Sequence, residues 1–88
     1  MRLLKLVKRD VDCLIVLRGW TEITRETLEQ ALRQLRSFEF GEYYLEVETG
    51  KGSLVIAANI DGTLLLPVKY ITHRRIEKLL SLKNCSKN

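Results

Sequence analysis

Residues 42–66, "EYYLEVETGKGSLVIAANIDGTLLL", constrain the architecture more than any other part of the chain. The first seven alternate strictly. Tyr43, Leu45 and Val47 fall on one side, and Glu42, Tyr44, Glu46 and Glu48 on the other. A period of two is the signature of a strand with one buried face. "TGKG" breaks the run, "SLVIAAN" resumes it, and Asp61-Gly62 breaks it again. An Asp-Gly pair between apolar runs marks a two-residue hairpin, because a type I′ turn needs positive φ at both positions. The segment reads as a three-stranded antiparallel meander. Pro67, just beyond, cannot donate a ladder hydrogen bond and belongs at a strand end or edge.

A lone meander cannot cover its apolar face, and the sequence supplies two helices for the purpose. In "WTEITRETLEQALRQLRSF", Thr24 has the place of an N-cap, with Ile23 and Leu28 at hydrophobic-staple spacing. Leu28, Ala31, Leu32 and Leu35 form the apolar stripe. Glu29 and Arg33 are placed for an i, i+4 pair. Phe38 and Phe40 read as core plugs where the chain turns back at Gly41. Near the C-terminus, "KYITHRRIEKLL" repeats the pattern, with Thr72 as N-cap, Ile71 and Ile76 as staple, and Ile76, Leu79 and Leu80 as stripe. Ahead of the first helix, residues 2–8 and 12–18 are apolar runs separated by "KRDVD". They read as a hairpin or one bent strand ending at Gly19, with Trp20 packing in the link to the helix. The expected fold is α+β: an antiparallel sheet with two helices packed on one face, in the order β(β)-α-β-β-β-α. Residues 1–83 form a single compact domain, and 84–88 a flexible tail.

The chain has 88 residues, so its core is thin. No apolar run reaches the 18 residues of a membrane span. The N-terminal "MRLLKLVKRD" is interrupted by Lys5 and Lys8 and lacks a small-residue cleavage site, unlike a signal peptide. A cytoplasmic location is expected. Cys13 and Cys85 lack the spacing of a zinc site or a disulfide framework. They read as a small apolar residue and a tail residue. The single His73 cannot make a metal cluster. "TGKGS" joins two strands and lacks the spacing of a phosphate loop. No nucleophile or acid–base constellation stands out, so a non-catalytic protein without a cofactor is expected.

Charge is the remaining functional signal. The formal net charge is +4, unevenly placed. Residues 1–18 hold five bases against two acids, and residues 19–68 four against eight. Residues 69–88 hold six bases against one acid. A basic surface is an argument about partners. If the first strand lies beside the last helix, Lys5, Lys8 and Arg9 would join Lys69, Arg74, Arg75, Lys78 and Lys83 in one phosphate-binding patch. The expectation is an RNA-binding accessory protein of a ribonucleoprotein. The alternative is a protein-interaction subunit or homodimer that uses an exposed sheet face bearing Glu42, Tyr44, Glu46 and Glu48, since aromatics are enriched at interface centres.

Helix, three-stranded meander and basic helix over residues 24–83, with "RRIEKLL" at 74–80, resemble the small Alu-domain RNA-binding subunits of the eukaryotic signal recognition particle. The resemblance implies an RNA-binding sheet surface. This chain departs from that family in its acidic strand 42–48 and its additional N-terminal arm.

Overall fold

The computed structural model describes residues 2–65 and 78–85. β1 (Leu3–Asp10) and β2 (Cys13–Glu22) form a hairpin, followed by α1 (Arg25–Ser37). β3 (Glu42–Thr49), β4 (Gly52–Ile60) and β5 (Thr63–Leu65) form the meander, and β6 (Lys83–Asn84) comes last. Residues 78–80 are helical. Pro67, Tyr70 and the expected Ile71–Thr72–Ile76 opening of the second helix lie outside the described residues, as does His73.

The six strands form one sheet in the order β5-β4-β3-β1-β2-β6. β1 is central and antiparallel to both neighbours, β2 and β3. Leu4, Leu6 and Val7 are all fully buried, as befits a strand covered on both sides. The sheet is mixed, not antiparallel as expected, because β6 runs parallel to β2. Gly19 does not end β2. The strand continues to Glu22, and the β1–β2 register slips on either side of Leu6.

The helical segments also depart from the expected arrangement. α1 packs through Ala31 and Leu35 on Leu4, Leu6, Leu45, Val47 and Ala57. Leu79 packs on Val7, Leu14, Tyr44, Val55 and Ala58, with Leu80 and Leu82 beside it. Leu45 and Tyr44 are adjacent in one strand and point to opposite faces. The two helical segments therefore cover opposite faces, not one. The thin chain resolves into two small cores separated by the sheet.

α1 begins as its sequence predicts. The Thr24 hydroxyl accepts from the Thr27 N–H at 3.1 Å, and Thr27 Oγ1 accepts from the Thr24 N–H at 2.8 Å. This reciprocal pair satisfies two orphan donors of the first turn. Ile23 and Leu28 both pack at the margin of the core under α1. Of the stripe, Leu35 is buried while Leu28 and Leu32 are half-buried. Glu29 pairs back to Arg25 at 3.5 Å instead of forward to Arg33. The Asp61-Gly62 turn has the expected positive φ values, 51° and 84°. Phe38 stacks on Tyr43 with ring centroids 3.9 Å apart, but Phe40 is 80% exposed and is no core plug. Among the described residues, no helix is long and apolar enough to cross a membrane.

Candidate nucleic-acid interface

The β1–β3 ladder decides which cations are available. Its register sets Lys5 opposite Glu46, Val7 opposite Tyr44 and Arg9 two places further on, opposite Glu42. Directly opposed side chains on one face of an antiparallel pair are close enough to interact. Lys5 Nζ lies 3.3 Å from Glu46 Oε2, with only 13% and 8% of the two side chains exposed. The same ammonium lies 4.7 Å from the centroid of the Trp20 ring, so one cation is shared between a carboxylate and an aromatic face. Arg9 Nη1 lies 3.4 Å from Glu42 Oε2, and the Tyr44 hydroxyl donates to that oxygen at 2.7 Å. Arg9 Nε also donates to the Val11 carbonyl at 3.3 Å.

Glu46 with Lys5 and Glu42 with Arg9 thus form two cross-strand ion pairs, one on each side of the Val7–Tyr44 pair. They run as rows across the face that Leu79, Leu80 and Leu82 overlie. Tyr44 is 1% exposed and Glu46 6% exposed, so the expectation of an open, acidic sheet face is corrected. The physical reason is topological: β1 enters the sheet beside β3, and the C-terminal segment closes over both. Glu48, at the far end of the strand, is exposed.

Lys8 stands on the other face, its ammonium 5.6 Å from the Tyr43 ring centroid. Lys78 and Lys83 are exposed, and neither forms an ion pair with a described residue. Lys69, Arg74 and Arg75 lie outside the described residues. Of the eight cations proposed from sequence, the structure therefore withdraws Lys5 and Arg9 into ion pairs and leaves Lys78 and Lys83 open to solvent. Trp20, expected to pack in the strand-to-helix link, sits within β2, partly exposed above Lys5.

The cysteines are the feature least visible in the sequence. Cys13, at the start of β2, is disulfide-bonded to Cys85 across a separation of 72 residues. Cys85 also donates its backbone N–H to Leu14 O at 2.8 Å. Asn84 and Cys85, read as the start of a flexible tail, are held by β6 and by this bond. The Asp10 carboxylate lies close by, with ligand atoms of Asp10, Cys13 and Cys85 within 4.8 Å of one another. Sulfurs bonded to each other are not thiolate ligands, so the trio is not a metal site in this state. Beside the bond, Leu14, Ile15, Val16, Asn84 and Cys85 line an open groove of about 560 Å³. None of these groove residues carries a charged side chain.

The chain matches no protein-family model, no curated protein and no solved structure.

Proposed function

We propose that this chain is a small, non-catalytic RNA-binding domain, an accessory protein of a ribonucleoprotein, which grips phosphates through its basic C-terminal segment. The observation that carries the reading is the internal neutralisation of the N-terminal arm. Glu46 and Glu42 engage Lys5 and Arg9. By sequence, the largest local excess of bases then lies in positions 69–88, six against one acid. Lys78 and Lys83 are the solvent-facing members among the described residues. Lys69, Arg74 and Arg75 complete the set by sequence, and Lys8 is a peripheral contact. Lysine and arginine contacts to phosphate give affinity that depends on salt and little on sequence.

The alternative contact, a protein partner or second copy on Glu42, Tyr44, Glu46 and Glu48, requires a face that Leu79, Leu80 and Leu82 overlie. It is the weaker reading for the molecule in this conformation. A cytoplasmic location belongs to the proposal as well. In that compartment a disulfide meets a reducing pool, where such bonds are usually transient or redox-sensing.

The test is a filter-binding titration of single-stranded RNA at several salt concentrations. The parent is compared with a variant carrying Arg74→Glu, Arg75→Glu, Lys78→Glu and Lys83→Glu. The expected result is measurable parent binding that falls steeply with salt, and its loss in the variant. Each lost phosphate contact takes away somewhat less than about one unit of the salt slope on a single strand. No binding by the parent at low salt, or equal binding by both proteins, refutes the assignment.

A further inference from the structure

We infer that the Cys13–Cys85 disulfide is a redox latch. Reduction lets residues 78–85 lift from the sheet and uncovers the apolar face beneath them, while α1 and the antiparallel ladders stay folded. The inference stands apart from the phosphate reading, and its test involves no nucleic acid.

Three observations carry it. First, few described contacts hold this segment. β6 contributes two paired residues, Cys13↔Lys83 and Leu14↔Asn84. One further backbone bond joins Cys85 to Leu14. The packing of Leu79, Leu80 and Leu82 and the disulfide itself supply the rest. Second, the two cores are separate. The core under α1 includes no residue of the segment, so it does not need the segment in order to hold the sheet. Third, the bond joins the start of β2 to Cys85, just past the edge strand β6, and both cysteines are partly exposed and open to a small thiol. A segment with few backbone bonds at a sheet edge is the kind of unit that opens before the whole molecule does.

The chemistry balances with a dithiol as co-reactant. One thiolate of the dithiol attacks a sulfur of the bond, and the other cysteine departs as a thiolate and is protonated. The second thiol of the reductant then closes its own disulfide and releases the first cysteine. Two electrons and two protons pass to the protein. The reductant leaves oxidised.

The uncovered surface has a defined content. Val7, Tyr44, Val55 and Ala58, each at or near zero exposure, form its apolar part, and the Lys5–Glu46 pair borders it. This is the face on which the sequence displays Tyr44 among acids. The closed molecule conceals this surface, and its exposure is thereby placed under redox control.

The full chain tests the inference. Alkylation without reduction, after exposure of the folded protein to oxidised glutathione and followed by mass measurement, establishes the bond first: two alkylated cysteines after that exposure overturn the proposal. Hydrogen exchange and trypsin sensitivity are then compared with and without dithiothreitol. The expected result is cleavage after Lys78 and Lys83 that speeds up by an order of magnitude or more on reduction, as the open population rises. Amides of β1, β3 and α1 keep their protection, and reoxidation reverses the change. Unchanged exchange in residues 78–85 means that packing alone holds the segment, and the latch is refuted. Loss of protection throughout means that the bond staples the whole fold, which refutes it equally. A Cys13→Ser/Cys85→Ser variant should behave as the reduced form and ignore dithiothreitol. A variant as protected as the oxidised parent also counts against the proposal.

Discussion

Val11 has a φ of 54° in the β1–β2 turn and is 83% exposed. A β-branched residue is poorly suited to the left-handed region, where its Cβ crowds the backbone at a cost of roughly 1–2 kcal/mol. Asp61 adopts nearly the same φ, 51°, with far less penalty, since Asp tolerates that region. Val11→Gly should therefore raise stability by about 1 kcal/mol in urea titration, net of the chain entropy that glycine adds to the unfolded state. Unchanged or lowered stability would show that the turn carries no strain. Lys5 presents the opposite case. Lys5→Ala strands the Glu46 carboxylate in a nearly closed site and should cost about 3 kcal/mol, as breaking a buried ion pair does. Lys5→Met, which keeps most of the side-chain volume but not the charge, should not restore it. If the arm is structural, RNA affinity of any folded Lys5 variant should equal that of the parent.

At the scale of elements, α1 is fastened at its C-terminus by a residue from another element. Asn59 on β4 is buried and donates through Nδ2 to Leu35 O at 2.9 Å and Phe38 O at 2.7 Å. Its Oδ1 accepts the Gly62 N–H at 3.1 Å. One amide thus satisfies carbonyls at the end of α1 and locks the Asp61-Gly62 turn beside them. A Cβ on Gly62 would meet Glu39 O at 2.9 Å, so the turn also needs glycine for space. Asn59→Ala should cost about 2–3 kcal/mol by leaving buried polar groups unpaired, measured by chemical denaturation. Within the helix, Leu35→Ala should cost about 2–5 kcal/mol, because Leu35 is fully buried. Leu32→Ala should cost less, since Leu32 is only half-buried. Equal losses at both positions would mean that the stripe faces the sheet at a different angle. The apolar period made the stripe legible; the ranking within it depends on the angle at which α1 sits on the sheet.

For the whole molecule, the distribution of charge separates stability from binding. Lys78 and Lys83 are exposed and make no ion pair with a described residue, so Lys78→Glu with Lys83→Glu should change stability by no more than about 0.5 kcal/mol per site. A thermal melt checks this. A large drop would tie these lysines to packing and remove them from the proposed phosphate contacts. Lys5 and Arg9 should respond in reverse, with stability lost and binding kept. The two pairs of cations had equal standing in the linear chain. Only the partners that the fold brings to them set them apart.

What the sequence determined by itself is local. Alternation in residues 42–48 made a strand, Asp61-Gly62 made a hairpin turn, and Thr24 with the leucine stripe made a helix. Each rests on neighbours within about four positions, whose geometry the backbone dictates without reference to the rest of the chain. The tertiary structure decided which strands lie side by side. It set Arg9 against Glu42 at a separation of 33 residues and Cys13 against Cys85 at a separation of 72. It also turned Tyr44 and Glu46, the middle of the acidic strip, into interior residues, because a period of two marks two faces of a strand but carries no record of what covers either. Covering the second face is a choice made by the whole chain. It depends on β1 entering beside β3 and on the C-terminal segment returning to the edge of β2, and no local pattern encodes those long-range pairings.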